Sequence, residues 1–294
     1  MVALACQGYD LPVRRNRPMP ESGHPVRRRH LIRELKRLRL EADLSQEDVA
    51  KEMGWNRVKL HRIEHGRTQT VRPSDVRALL DLYRVPDRER EALIELSKRA
   101  RERGWWHKYS DVLPGSYVSL EAEASAIRTY ECVVVPGLLQ TADYASAIFR
   151  GGGIEDEKEI KRRVDARITR RNLFTRDKPP AFWAVIDEAT LLREVGGPEV
   201  MREQVQHLVD MRRQGAAYIQ ILPLKAGAHA GTNGAFVILD FPDPSPTVFI
   251  ENDNDGLYLE EEHELRRYSL VFDLIQAKAL SVEESLEYLE QLMG

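Results

Sequence analysis

"SQEDVAKEMGWNRVKLHRIEHG", residues Ser45 to Gly66, decides how the first third of this chain is read. Ser45 is a good N-cap for a helix that begins at Gln46. Asp48 falls in its first turn, where negative charge is favoured. Val49, Ala50 and Met53 give that helix a buried side. Gly54 then stops it, because glycine accepts the left-handed conformation of a tight exit. Asn56 can cap a second helix. Helix, short glycine-containing turn, helix is the layout of a helix-turn-helix. In the second helix Leu60 and Ile63 are three apart and face inward together, with Trp55 from the turn beside them. Arg57, Val58, His61 and Arg62 are left on the opposite side, and Lys59 on the flank.

Those outward residues have the chemistry of a DNA reader. An α-helix fits the major groove of B-DNA, where arginine can donate two bonds to guanine O6 and N7 and a valine can touch a thymine methyl. Arg57, Val58, Lys59, His61 and Arg62, with Asn56 at the helix start, form the expected contact set. Gln46 and the amide ends of both helices would lie near phosphates. Arg67 and Arg72, beyond the second helix, are placed for backbone or minor-groove contact. The plain alternative is a helical bundle with a solvated basic face. The agreement of cap, glycine stop and inward apolar pair favours the DNA reader.

Working outward, the helical pattern extends from residue 26 to 104. "RHLIRELKRLRLEA" places Leu31, Leu35 and Leu38 on one face. "PSDVRALLDLYRV" and "DREREALIELSKRARERG" add two more helices, five in all. Residues 1–25 carry prolines, glycines and "RRNRP" without an apolar period, which predicts a disordered arm. Ordered patterning begins only after Met19, which makes Met19 a candidate start of translation beside Met1. The opening "MVALACQG" lacks the charged and apolar regions of a signal peptide.

Glu64 can be solvated or paired, and here a family resemblance speaks. This region resembles the Xre/434-repressor family of helix-turn-helix proteins. There an arginine seven residues before the helix-2 glutamine pairs with a glutamate eighteen residues after it. Arg39, Gln46 and Glu64 match both intervals, so the resemblance implies an Arg39–Glu64 ion pair and a lambda-repressor-like fold. It also puts Arg57, Val58 and Arg62 at base-reading positions and Arg72 at a phosphate or minor-groove position. Phage repressors use glutamines as base readers where this chain has arginines and a valine, so their operators do not carry over.

Charge separates the two parts of the chain. Residues 1–103 hold 24 Lys and Arg against 16 Asp and Glu, whereas residues 104–294 hold 20 against 31. A basic front behind a net charge of −3 suits a chain whose first part meets a polyanion. No run approaches ~18 consecutive apolar residues, which argues against a membrane span. Two cysteines, Cys6 and Cys132, are too few for a disulfide framework or a zinc cluster and fit a reducing cytoplasm.

From Trp105 the texture changes. Helical patterns cover roughly 117–130, 138–150 and 155–175. Strand-like runs follow at 181–187, 218–223, 235–241 and 247–252, with a helix around 198–214 between the first two. Two helices close the chain, the last opened by Ser281 with Glu284 three residues on, a capping box. The expectation for 105–294 is an α+β domain with a mostly antiparallel sheet. Trp106, the "LP" at 113–114, Glu121, "VPGLLQT" (135–141), Tyr144-Ala145, "VIDEATLLREVGGPEVMREQVQHLVDM", "ILPLKAGAHAG" and "ALSVEESLEYL" resemble a domain of actinobacterial, WhiJ-like, antitoxin-like regulators. That resemblance implies a regulator whose second domain serves dimerisation and receives a signal or a small partner protein encoded nearby.

Three features could carry other chemistry. Asp187 and Glu188 close a strand, where paired carboxylates can do acid–base work, but a helix N-terminus also favours them. His229 sits in a glycine loop with no nucleophile motif nearby. "ENDNDGLYLEEE" (251–262) nearly fits an EF-hand loop, yet a strand precedes it and Asp255-Gly256 signals a hairpin. The expectation is no enzyme, no cofactor and no metal. The expected partners are double-stranded DNA and a second copy of the chain.

Overall fold

The computed structural model describes residues 25–68, 71–102, 104–109, 111–112, 115–242, 246–251 and 256–293. Residues 1–24 of the expected N-terminal arm, with Cys6 and Met19, lie outside them, whereas Pro25, expected in the arm, opens the first helix.

The N-terminal part is helical: α1 (Pro25–Glu41), α2 (Gln46–Glu52), α3 (Arg57–Glu64), α4 (Pro73–Leu82) and α5 (Asp87–Arg99). Local chemistry sets these boundaries. The Ser45 hydroxyl accepts from the Asp48 amide while the Asp48 carboxylate accepts from the Ser45 amide, a reciprocal cap. Asn56 Oδ1 accepts from the Val58 amide at 3.0 Å and opens α3. Between them Gly54 takes φ +61°, the left-handed exit after α2. Leu31, Leu35, Val49, Leu60, Ile63, Val76, Leu79 and Leu80 pack into one core together with Leu93 and Ile94 of α5, so all five helices turn apolar residues to the same centre.

The C-terminal part is built on a six-stranded sheet: β1 (Ala126–Glu131), β2 (Ala181–Asp187), β3 (Tyr218–Leu222), β4 (Phe236–Asp240), β5 (Thr247–Ile250) and β6 (Leu257–Leu259), in the order β3-β2-β1-β4-β5-β6. It departs from a mostly antiparallel sheet. β1 pairs parallel with β2, and β2 parallel with β3, while β4, β5 and β6 run antiparallel. The physical reason is the connections. Helices α7 (Ala142–Gly151) and α8 (Glu157–Arg170) carry the chain from β1 to β2, and α9 (Glu188–Leu192) and α10 (Pro198–Arg213) from β2 to β3. Such crossovers return the chain to the same end of the sheet, which makes neighbours parallel.

Two sequence expectations are corrected. The helix expected at 117–130 ends early: α6 covers Gly115–Glu123, and Ala126–Glu131 is the central strand β1. "VPGLLQT" forms a short 3-10 turn at Gly137–Leu139, and α7 starts only after Thr141, whose hydroxyl accepts from the Tyr144 amide.

One sheet face, with Ile127, Phe182, Ala184, Ile186 and Ile219, packs with Leu120 of α6, Tyr144 of α7, Leu208 of α10 and Leu289 of α12 (Val282–Gln291). The other, with Tyr130, Val185, Phe236 and Val248, is covered by Phe272 and Ile275 of α11 (Glu262–Gln276). β5 and β6 are the arms of a hairpin, with Gly256 at φ +68°; residues 252–255 lie outside the described residues. An EF-hand would need helices where these strands stand.

Helix α1 joins the two parts. Arg27 reaches Glu102 at 3.4 Å and Glu123 of α6 at 3.7 Å, and Arg29 pairs with Glu260 just after β6.

Candidate nucleic-acid interface

The surface begins with the residues that hold α3 from behind. Arg39 Nε donates to Glu64 Oε1 at 2.6 Å, and Arg39 Nη2 donates to Glu64 Oε2 at 3.1 Å. The remaining Arg39 nitrogen donates to the Leu44 carbonyl at 2.6 Å, and Gln46 Nε2 donates to Glu64 Oε2 at 2.5 Å. The side chains of Arg39 and Glu64 are 8% and 1% exposed, so this is a buried charge pair with both partners hydrogen-bonded. It ties the end of α1, the turn before α2, and the last turn of α3 into one unit. Arg28 Nη2 adds a bond to the Gly66 carbonyl at 3.4 Å, just past α3. Tyr83 packs beside this pair, and burial with the Glu64 charge pushes its hydroxyl above the usual tyrosine range.

With Leu60, Ile63 and Glu64 turned inward, α3 presents its other side to solvent. The Arg57 side chain is 80% exposed and pairs with Glu47 of α2. Val58 is 48% exposed, and the side chain of the exposed Arg62 has no hydrogen-bond or ion-pair partner among the described residues. Asn56, Val58, Lys59, Arg62 and Thr68 line a shallow concavity of about 450 Å³. Arg67 and Arg72 are exposed beyond the helix, Arg72 at the backbone N-cap position of α4 with no side-chain cap bond.

Three candidate contacts are placed differently from a free outward residue. Gln46 is half-buried, with its amide nitrogen donating to Glu64. Lys59 lies over the Trp55 ring at 3.7 Å, and its Nζ is 2.9 Å from Asp75 of α4, so the side chain is held against its own domain. His61 stacks on His65, ring centres 3.9 Å apart, while His65 Nδ1 lies 2.8 Å from the His61 carbonyl. His65 and Thr68 join the surface without having stood out in the sequence. For His65 the i, i+4 spacing to His61 was an available signal. For Thr68 there is only a hydroxyl residue just past the glycine that ends the helix.

The residues singled out in the C-terminal part have structural employment. Asp187 caps α9, with Oδ1 accepting from the Ala189 amide at 3.0 Å and Oδ2 accepting from the Tyr130 hydroxyl at 3.4 Å. Glu188 accepts from the Leu224 amide at 2.6 Å and from the Tyr288 hydroxyl at 2.7 Å, pinning α12 and the turn after β3. His229 Nε2 stands 4.0 Å from Asp187 Oδ2, and its Nδ1 accepts from the Gly231 amide at 3.1 Å. Cys132 is half-buried, and burial pushes its thiol up, the opposite of an activated nucleophile. Among the described residues no three His, Cys, Asp or Glu side chains converge as a metal site needs.

On the other face of the sheet, burial together with the Glu251 charge pushes the Glu131 carboxyl up to about 8. Arg170 and Glu121 form a bidentate pair there at 2.6 and 2.8 Å, next to Arg167, which bonds Gln140 at 2.6 Å. Burial lowers the Arg167 guanidinium to about 10.

Among the described residues no helix is long and apolar enough to cross a membrane. Comparison with known proteins finds a helix-turn-helix domain over residues 30–93, the segment that contains α2, α3 and the surface described above. A second match, to a domain of unknown function (DUF5753), covers residues 115–291. Searches of curated proteins and of solved structures found no match. With the second match spanning the whole mixed sheet and its helices, the chain belongs to the DUF5753 family and carries a helix-turn-helix domain in front of it.

Proposed function

We propose that the protein is a sequence-specific, DNA-binding transcriptional regulator of the cytoplasm that inserts α3 into the major groove. The observation that carries the proposal is the split of α3. Leu60, Ile63 and Glu64 are buried and anchored, while Arg57, Val58 and Arg62 face solvent on the same helix. A surface helix that needs only solubility gains nothing from a buried charge pair fixing its last turn. A helix that must present two guanidinium groups at fixed height does. Arg57 and Arg62 are the base readers, Val58 supplies an apolar contact, and Asn56, Arg67 and Arg72 meet the backbone. Gln46 and Lys59 act through positioning: Gln46 supports Glu64, and Lys59 braces α3 against α4.

The Xre/434-repressor resemblance supports a homodimer on a two-fold operator, with half-sites about one helical turn apart. The C-terminal domain serves dimerisation and signal reception, by ligand or by a small partner protein, as the WhiJ-like, antitoxin-like resemblance implies. The proposal assigns no catalytic step, and it gives Asp187 and Glu188 the roles of a cap and a brace.

Gel-shift on the DNA upstream of its own gene, across a salt series, tests the proposal. Specific retention that survives a random-DNA competitor is the expected result, with affinity falling as salt rises. Equal affinity for competitor and upstream DNA would refute it.

A further inference from the structure

Helix α11 covers one face of the sheet with Phe272 and Ile275, yet its opposite side carries two exposed leucines among its charged residues. Leu270 is 59% exposed and Leu274 49%, one turn apart on a single stripe. Leu257 on β6, 50% exposed, lies on the same face of the sheet as α11, opposite Ile250 in the hairpin register. Single exposed leucines are ordinary on a surface; an adjacent pair on one helix stripe, with a third exposed leucine on the same side of the sheet, marks a contact.

The charges around the pair indicate what covers it. Arg266 and Asp273 are seven residues apart, so they share one flank of the helix, with Leu270 near their midpoint. Arg266 pairs within the helix to Glu262, while the Asp273 carboxylate has no partner among the described residues. A two-fold axis perpendicular to α11, passing beside the helix at the level between Ser269 and Leu270, sets a second copy antiparallel against it. It brings Arg266 opposite the partner's Asp273 twice over, sets the two Leu270 side chains against each other, and lays the stem of Arg267 over the partner's Leu274. Self-complementarity of one patch is what an isologous interface requires.

We propose that the outer side of α11 is the self-association surface of this protein and that its occupant is a second copy of the chain in antiparallel contact. The inference rests on the homodimer reading given above and names the surface that would form it.

Sedimentation velocity of the full chain over a concentration series, without DNA, tests it. The unaltered protein should dimerise. Leu270→Glu with Leu274→Glu should weaken the dimer at least ~10-fold by forcing charge into a desolvated contact. Arg266→Asp and Asp273→Arg should each weaken it alone. An equimolar mixture of these two single variants should restore association, because each then meets its complement, and so should the double variant. A monomer at every concentration would overturn the homodimer reading and this surface together. A dimer unaffected by the two glutamates would overturn the surface alone, and single variants that fail to rescue each other would overturn the antiparallel register. DNA takes no part, so failure of the DNA-binding reading leaves each outcome legible.

Discussion

Removing Arg39 probes the architecture behind α3. Its guanidinium makes two bonds to Glu64, at 2.6 and 3.1 Å, and one to the Leu44 carbonyl. Arg39→Met keeps the stem but leaves a carboxylate with 1% side-chain exposure facing only the Gln46 amide. Breaking a buried pair in this way costs about 3–5 kcal/mol, because the orphaned charge is no longer compensated. That is a large share of the ~5–15 kcal/mol that holds a domain together. Replacing both partners, Arg39→Met with Glu64→Leu, removes the orphan and should recover most of the loss. The assay is urea unfolding of the full chain by circular dichroism, with amide hydrogen exchange along α3 to localise the change. The double-mutant cycle should show a coupling of ~2 kcal/mol or more. A single variant within ~1 kcal/mol of the parent, or a double variant as unstable as the two singles added, would refute the assignment of this pair as the anchor of α3.

Two further outcomes follow from the C-terminal domain. The Glu131 carboxyl ordinarily loses its proton near 4.5, but in the fold it keeps it to about 8. The folded state therefore holds more protons in that window, and stability falls as pH rises through it. Glu131→Gln should flatten the curve and be more stable than the parent at pH 9 by about 1–3 kcal/mol; thermal melts that run parallel for both proteins from pH 5 to ~9 would contradict the burial assigned to this carboxyl. In the loop after β3, a Cβ at Gly231 would lie 2.5 Å from the Tyr130 ring and 2.8 Å from Ile275. Gly231→Ala should cost about 1–3 kcal/mol by overpacking, read as a lowered melting temperature; no change would show slack in the loop.

Much of the helix-turn-helix is legible because its signals are local. Ser45, Gly54 and Asn56 set the ends of α2 and α3 through bonds and backbone conformations spanning at most three residues. Leu60 and Ile63 declare their burial by spacing alone. Side-chain destinations were less legible. That Lys59 folds back to Asp75 depends on where α4 is placed, sixteen residues on. The strands of the sheet's second half announce themselves by β-branched and aromatic runs. β1 does not. It follows a Glu- and Ala-rich helical stretch after only Ala124 and Ser125, and its Arg128, Thr129 and Glu131 interrupt the apolar run that a strand between β2 and β4 would ordinarily show. Losing β1 hides the β1–β2 crossover and with it one parallel pair. The other pair did have a signal, the helix at 198–214 between two strands, since parallel neighbours need such a crossover.

The central claim, that the exposed guanidinium side of α3 reads base pairs, meets its most direct test in Arg62→Ala. Fluorescence anisotropy on the protein's best upstream site, and on every single-base variant of it, gives a specificity profile. The account predicts a loss of ~1–3 kcal/mol on the best site and relaxed discrimination at one base pair, with the other positions unchanged. A loss of equal size on every sequence, random DNA included, would contradict it and reduce Arg62 to a grip on phosphate.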